Sequence, residues 1–150
     1  MYVCFARAFA RARLLPHAAQ WAKDKSTPRE IYSEMGERGL LGMLAPQARG
    51  GVEVGYVSFV LAMEEIAAGD GGVSTTLSVH NGVATMPIVQ YGTEAQKQRF
   101  LPKLTSGGMI GAFALTEAQA GSDAANLKCT AKRDGDHYVL NGSKLFISSV

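Results

Sequence analysis

Residues 111–148 read GAFALTEAQAGSDAANLKCTAKRDGDHYVLNGSKLFIS, and the pattern of apolar residues changes at this stretch. Within it, residues 127–132 alternate between apolar and polar side chains, as a strand with one solvated face does. The dipeptides Asp134-Gly135 and Asn141-Gly142 suit two-residue hairpin turns. We therefore predict an antiparallel meander that begins with a strand around Ile110 to Leu115.

From residue 1 to about residue 105, capping signals and apolar spacing predict helices instead. Residues 27–30, TPRE, combine an N-cap threonine, a proline at the first helical position and a capping-box glutamate. Residues 93–96, TEAQ, form a second capping box, whose helix is expected to end near Leu101-Pro102. Helices followed by strands predict an α+β fold class with two segregated units.

Three further helices are predicted from their apolar residues. Residues 57–66 are apolar nearly all round, which predicts deep burial, with Glu64 held by a salt bridge or a hydrogen bond. A helix over Ser74 to Tyr91 is expected to kink at Pro87. Residues 1–15 are interpreted as an amphipathic helix with a basic solvated face, in preference to an organelle transit peptide.

The composition excludes several classes of function. Fifteen basic and thirteen acidic residues leave a net charge of +2, too small to indicate nucleic-acid binding. Cys4 and Cys129 form no CxxC motif, and the three histidines share no metal-ligand spacing, so we expect reduced thiols and no metal site. No apolar run is long enough to span a bilayer, so no membrane partner is expected.

The residues that can carry chemistry lie in residues 113–123, where small side chains follow the end of a predicted strand. Thr116 and Ser122 supply hydroxyl groups, and successive backbone N–H groups in such a turn can bind an anion. This chemistry alone leaves an anion site and a purely structural turn both open. Glu117 is interpreted as a turn or surface carboxylate, and His80 as a core or rim histidine, with a substrate-pocket role as the alternative.

Several motifs in the same order carry a resemblance to a known family. The segment FALTEAQAGSD, residues 113–123, with NGSKLFIS, residues 141–148, resembles the signature of the acyl-CoA dehydrogenase family of flavoproteins. Residues 39–46 (GLLGMLAP), 61–72 (LAMEEIAAGDGG) and 87–108 (PIVQYGTEAQKQRFLPKLTSGG) resemble the same family. The resemblance covers nearly the whole chain.

The resemblance implies an N-terminal all-α domain, residues 1–107, followed by the first antiparallel strands of a truncated β-barrel-like middle domain, residues 108–150. It implies FAD as the cofactor and a short- or branched-chain acyl-CoA as the substrate. In the family reaction a carboxylate base removes the α-proton and the β-hydride passes to flavin N5, which yields the trans-2-enoyl-CoA. Electrons then leave to an electron-transferring flavoprotein. No catalytic residue is assigned, because the resemblance places the base beyond residue 150.

The resemblance also assigns binding residues. Thr116 would offer its hydroxyl and backbone to the pyrimidine end of the flavin. Ser122 would lie where the pyrophosphate and the pantetheine arm of the substrate come close, which makes it the substrate-binding residue too. Ala118-Gln119 departs from the usual Pro-Gly, and Phe146 and Ser148 replace the usual Trp and Thr. The implied cofactor-binding residues are Phe113, Ala114, Leu115, Thr116, Gly121, Ser122, Phe146, Ile147 and Ser148.

Two alternatives to the dehydrogenase remain open from the sequence. One is a flavin-dependent monooxygenase or oxidase on the same scaffold, and the other is a non-catalytic truncated remnant or interaction module. We expect the isolated 150-residue chain neither to hold FAD stoichiometrically nor to oxidise acyl-CoA. The resemblance implies a homo-oligomer in the full-length form that serves fatty acid or amino acid catabolism, in the bacterial cytoplasm or the mitochondrial matrix of a eukaryote.

Overall fold

The structure, a computed structural model, describes residues 2–149 and divides into two compact units after Gly111. The first unit is helical, and the second contains a two-stranded antiparallel sheet. The α+β prediction is therefore confirmed. No helix in residues 2–149 combines the length and apolarity needed to cross a bilayer.

Within residues 2–111 the first unit contains seven α-helices, with short turns of other helix types between them. The α-helices are α1 (Tyr2–Phe9), α2 (Ala18–Asp24), α3 (Arg29–Glu37), α4 (Gly55–Gly69), α5 (Gly71–Val79), α6 (Met86–Tyr91) and α7 (Glu94–Thr105). A π turn, Ala10–Leu14, extends α1, and a second π turn, His80–Thr85, joins α5 to α6. Single 3-10 turns lie at Leu40–Gly42 and Gln47–Arg49 in this unit and at Ala124–Asn126 in the second.

The core of the first unit forms where α1 packs on α4 and α4 packs on α5. The amphipathic prediction for the N-terminal helix is confirmed in part, because Phe9 and Leu14 are buried whereas Leu15 is exposed. Its basic face is not simply solvated, since Arg7 makes a two-point ion pair with Glu65, at 2.9 and 2.6 Å.

The prediction of deep burial for α4 is wrong. Only Ala62, Ile66 and Gly69 of this helix are buried, whereas Tyr56, Val57, Val60 and Leu61 are exposed. Apolar side chains on every face predict burial only if neighbours surround the helix, and in residues 2–149 α4 packs mainly on α1, the Ala10–Leu14 turn and α5. The acidic residue held in an ion pair is Glu65, one position after the predicted Glu64.

The two predicted capping boxes have different outcomes. The box at Thr93 is confirmed: its hydroxyl accepts from the Gln96 backbone N–H at 3.3 Å, and the Gln96 side-chain oxygen accepts from the Thr93 N–H at 2.8 Å. The box at residues 27–30 is wrong, because Pro28 is itself the N-cap and no side chain caps the helix. Helix α7 continues through Pro102 to Thr105, since burial of its last turn outweighs the donor that proline lacks.

The long helix predicted over residues 74–91 is interrupted, but not at Pro87. It begins at Gly71, where the Asp70 carboxylate accepts from the Val73 N–H at 2.8 Å. The interruption is the π turn His80–Thr85, which leaves Pro87 in the first turn of α6. The π turn runs into α6 without a break, since Thr85 keeps helical dihedral angles, so its wider winding lies next to the point where Pro87 removes one N–H from the helix.

The hairpin of the second unit is confirmed, with its loop one residue later than predicted. Strands β1 (Thr130–Asp134) and β2 (His137–Asn141) pair antiparallel, with Thr130 opposite Asn141. The loop residues are therefore Gly135 and Asp136, and Gly135 takes the positive φ of 59° that such loops require. All five residues of each strand are exposed.

The rest of the predicted meander is wrong. Residues 110–115 form no strand, and Asn141-Gly142 leads into no second hairpin within the described chain. For the late start of β1 the reason lies in the acceptor that two backbone N–H groups use. The N–H groups of Lys128 and Cys129 donate to the Glu117 carboxylate rather than to a strand carbonyl, so that the ladder starts only at Thr130.

Candidate functional site

Two of the predicted binding segments lie side by side in the second unit. The Leu145 N–H donates to the Thr116 carbonyl at 2.9 Å. The Lys144 ammonium donates to the Leu115 carbonyl and to the Glu117 carboxylate, at 2.8 Å each. The structure thus brings Leu115 and Thr116 next to the segment that leads into Phe146.

The Glu117 carboxylate accepts four hydrogen bonds, and the residue is only 5% exposed. Its carboxylate accepts hydrogen bonds from Lys144 Nζ, from the backbone N–H groups of Lys128 and Cys129, and from Gln119 Nε2. The bond from Lys144, followed by the backbone bond from Lys128, holds the pKa of Glu117 far below its ordinary range. Glu117 is therefore a turn carboxylate, one of the two interpretations, and not a surface one, and its low pKa makes it a poor general base.

The turn after Glu117 is closed by its own backbone. The Glu117 N–H donates to the Ala120 carbonyl at 2.9 Å, and the Ala120 N–H donates to the Glu117 carbonyl at 3.1 Å. Beyond the turn, Gly121 and Ser122 are exposed, and their N–H groups donate to no other group of residues 2–149. A Cβ atom at Gly121 would meet nothing within 4 Å, so the approach to this backbone is open.

The predicted cofactor-binding side chains differ in exposure. Phe146 is 92% exposed and takes a positive φ of 56°, an uncommon conformation for a residue with a side chain. Phe113, Ala114, Gly121 and Ser122 are exposed, and Leu115, Thr116, Ile147 and Ser148 are half-buried. No hydrogen bond within residues 2–149 joins Ser122 or Ser148 to Thr116, so these hydroxyls are not linked directly.

A groove of about 370 Å³ opens beside the tied segments of the second unit. It is lined by Ala114, Cys129, Thr130, Ala131, Leu140, Asn141, Gly142 and Lys144. Its residues come from the segment before Thr116 and from the hairpin. Only Ala114 among the predicted binding residues lines it.

His80 of the first unit is a core histidine, as interpreted from the sequence. It is fully buried, its Nδ1 accepts from the Gly111 N–H at 3.0 Å, and its Nε2 lies 3.1 Å from the Leu41 carbonyl. A nitrogen that accepts from an N–H carries no proton, so the proton lies on Nε2, which donates to Leu41. Burial lowers the pKa of His80 and keeps it neutral.

The neighbouring Asn81 has a structural role that the sequence did not reveal. Its side-chain oxygen accepts from the Met43 N–H at 3.0 Å, and its Nδ2 donates to the carbonyls of Leu40 and Leu77. The side chain thereby satisfies backbone groups of the Leu40–Gly42 turn that burial would otherwise leave unpaired. In the described chain no group of three acidic, histidine or cysteine side chains could hold a metal ion.

Comparison with known families decides the relationship of the chain. The family model described as "Acyl-CoA dehydrogenase, N-terminal domain" matches residues 1–108, and "Acyl-CoA dehydrogenase, middle domain" matches residues 112–150. The chain belongs to the acyl-CoA dehydrogenase family. It is 43% identical over 143 residues to an acyl-CoA dehydrogenase of Bacillus subtilis, covering 95% of this chain and 38% of that relative.

Other members of the family are similar over the same stretch. The chain is 43% identical to the mitochondrial isovaleryl-CoA dehydrogenase of Pongo abelii, over 94% of this chain and 34% of that protein. It superposes on a glutaryl-CoA dehydrogenase of Mycobacterium smegmatis in complex with FADH2 with a TM-score of 0.90 and 39% identity, over 97% of this chain and 38% of that one. The chain thus spans well under half the length of these family members.

The predicted binding residues of the second unit, exposed or half-buried, fit a flavin dinucleotide. Phe113 and Phe146 present aromatic side chains to solvent, which suits a planar ring system. The hydroxyls of Thr116 and Ser122 and the open backbone at Gly121 are donors of the kind that a ring carbonyl or a pyrophosphate accepts. The donor set contains no feature that would exclude FAD.

Proposed function

We propose that this chain supplies the flavin-holding wall of an FAD-dependent acyl-CoA dehydrogenase. The observation that carries the proposal is the hydrogen-bonded pair of segments around Thr116 and Leu145, which leaves Phe146 exposed beside them. We assign the all-α domain to residues 1–107 and the start of the middle β-domain to residues 108–150. Membership of the family supports the assignment.

The predicted residues other than Ile147 have separate roles in holding the cofactor. Thr116 and Ser148 direct hydroxyls toward the flavin ring, and Phe146 covers one face of it. Ser122, with the open backbone at Gly121, binds the pyrophosphate and lies close to the pantetheine arm of the substrate. FAD, when bound, supplies the acceptor for the hydride that leaves the substrate. The remaining segment, Phe113 to Leu115, supplies the apolar edge of the wall.

The substrate is an acyl-CoA thioester of short or branched chain, and the product is the trans-2-enoyl-CoA. Relatives named for isovaleryl-CoA and glutaryl-CoA support this class. The acceptor is an electron-transferring flavoprotein, and the full-length protein is a homo-oligomer of the bacterial cytoplasm or the mitochondrial matrix. No residue of this chain is assigned as the base, since the donors to Glu117 lower its pKa and make its carboxylate a weak proton acceptor.

The test is a chimera in which residues 1–150 replace the matching part of the Bacillus subtilis relative. We expect the purified chimera to hold one FAD per chain and to reduce a dye when isovaleryl-CoA or butyryl-CoA is added. Exchanging Thr116 for Val and Ser122 for Ala together should weaken FAD binding by about tenfold, because two hydrogen bonds to the cofactor are lost. FAD affinity is measured by titrating the apo-chimera.

Three other outcomes would contradict the proposal. A folded chimera without FAD would favour the non-catalytic remnant or interaction module. A flavin that acyl-CoA reduces and oxygen reoxidises within a turnover would favour the oxidase or monooxygenase. Unchanged FAD affinity after the double exchange would remove Thr116 and Ser122 from the site. The unmodified Bacillus enzyme is the matched control for all three measurements.

A further inference from the structure

One buried carboxylate gathers donors from three separate stretches of the second unit. The Glu117 side chain is 3% exposed, and four groups donate to it, at distances of 2.6 to 3.0 Å. Two of them are the backbone N–H groups of Lys128 and Cys129, and one is the ammonium of Lys144. A carboxylate that only ended a strand would need no such set of partners.

The partners show which parts of the unit the carboxylate joins. Lys128 and Cys129 directly precede β1, so Glu117 fixes the point where the hairpin begins. Lys144 bonds Glu117 and the carbonyl of Leu115, on either side of Thr116. The same lysine is two residues before Phe146. The pair Glu117–Lys144 therefore clamps the two segments that carry the proposed flavin contacts.

Close packing at the hairpin supports the same conclusion. A Cβ atom at Gly142 would lie 2.0 Å from Cys129 Sγ and 2.9 Å from its Cα, and Gly142 has a φ of 148°. Only glycine permits this approach between the start of β1 and the stretch that leads to Lys144. The Cys129 thiol in turn lies 3.8 Å from the Ser143 carbonyl. The clamp is therefore closed by packing as well as by charge.

We infer that Glu117 and Lys144 are positioning residues of this site, which set Thr116 against Phe146 without touching the cofactor themselves. The inference rests on the proposed function for the identity of the ligand, but not for the clamp. Charge-assisted hydrogen bonds are about twice as strong as neutral ones, and this carboxylate accepts one from an ammonium group and three from neutral N–H groups. Removing its charge weakens all four at once.

The clamp is tested without cofactor by amide hydrogen exchange of the 150-residue chain. We expect Glu117→Gln, which keeps the shape of the side chain, to speed exchange at Lys128, Cys129 and Leu145 by about tenfold. Lys144→Met should also speed exchange of the Leu145 amide. The double variant should exchange little faster than either single variant, because both substitutions break the same interaction. Glu94→Gln is the matched control, because Glu94 also accepts from two cations but its side chain is 72% exposed.

If the exchange rate of the Leu145 amide is the same in Glu117→Gln as in the wild type, the clamp is overturned. It is also overturned if the amides of Lys128, Cys129 and Leu145 all exchange at the rate of an unprotected chain in the wild type. A second arm introduces the same substitutions into the chimera described above and measures the FAD affinity of its apo form. An affinity at least about fivefold weaker in Glu117→Gln than in Glu94→Gln supports positioning for the flavin, and equal affinities overturn it. If the chimera without substitutions does not bind FAD, the proposed function fails while the exchange result still decides the clamp.

Discussion

Each of the two units of the chain is stabilised internally by a different kind of interaction. The helical unit has a continuous apolar core in which Met35, Leu41 and Ile66 are fully buried. The second unit exposes every residue of both strands, and its buried centre is the carboxylate of Glu117. The helical unit is therefore stabilised mainly by burial, whereas the second relies on backbone pairing and on hydrogen bonds to one charge. A site on the second unit depends on a few polar contacts.

The largest expected difference comes from making the same substitution in both units. Leu41→Ala should lower the free energy of unfolding by about 3 kcal/mol, because a fully buried side chain leaves a cavity. Leu140→Ala, at a position that is 76% exposed, should change it by less than about 0.5 kcal/mol. Urea unfolding followed by circular dichroism and by Trp21 fluorescence measures both. Equal losses of unfolding free energy in the two variants would show that the Leu140 side of β2 is buried, which would contradict the difference between the two units.

A smaller difference is expected in how the units respond to acid. Burial lowers the pKa of His80 in the folded chain, so below about pH 6.5 the unfolded chain binds a proton that the folded chain does not. The stability of the helical unit should therefore fall by up to about 1.4 kcal/mol for each pH unit below that value. The folded pKa of Glu117 is also lowered, but this contribution is lost only below about pH 4.3.

Between pH 6.5 and pH 5 the helical unit should thus weaken while the Glu117 clamp stays intact. His80→Gln should flatten the dependence, since an amide can both donate to the Leu41 carbonyl and accept from the Gly111 N–H. His17 and His137 are exposed and serve as control positions for the same exchange. A pH profile that is as steep in His80→Gln as in the wild type would contradict the assignment.

Two local sequence signals predicted local structure, whereas the capping box at residues 27–30 and the hairpin turn at Asn141-Gly142 were wrong. The Thr93–Gln96 box joins groups three residues apart, and the hairpin needs only a glycine between two alternating runs, so both were predicted without knowledge of the fold. The order of helices and strands gave the α+β class for the same reason. The hairpin loop was misplaced by one residue, because Asp134-Gly135 and Gly135-Asp136 satisfy the same turn chemistry.

Long-range features were not predicted. Lys144 is 27 residues from Glu117, and no spacing rule shows that a turn carboxylate will bind it. The exposed face of α4 depends on which elements pack on it, and its composition alone indicates burial. The resemblance named Thr116, Ser122 and Phe146 as binding residues, and their cofactor contacts stay predictions. The Glu117–Lys144 clamp could be recognised only from the structure, which places the segments around Thr116 and Leu145 side by side.

A crystal structure of the FAD-loaded chimera would show whether the surface around Thr116 and Phe146 holds a flavin. We predict that the ring system lies against Phe113 to Thr116 and Phe146 to Ser148, with the pyrophosphate at Ser122. The Glu117–Lys144 ion pair should remain intact and make no contact with the flavin. A cofactor bound elsewhere, or a flavin with Thr116 and Phe146 turned away from it, would contradict the account.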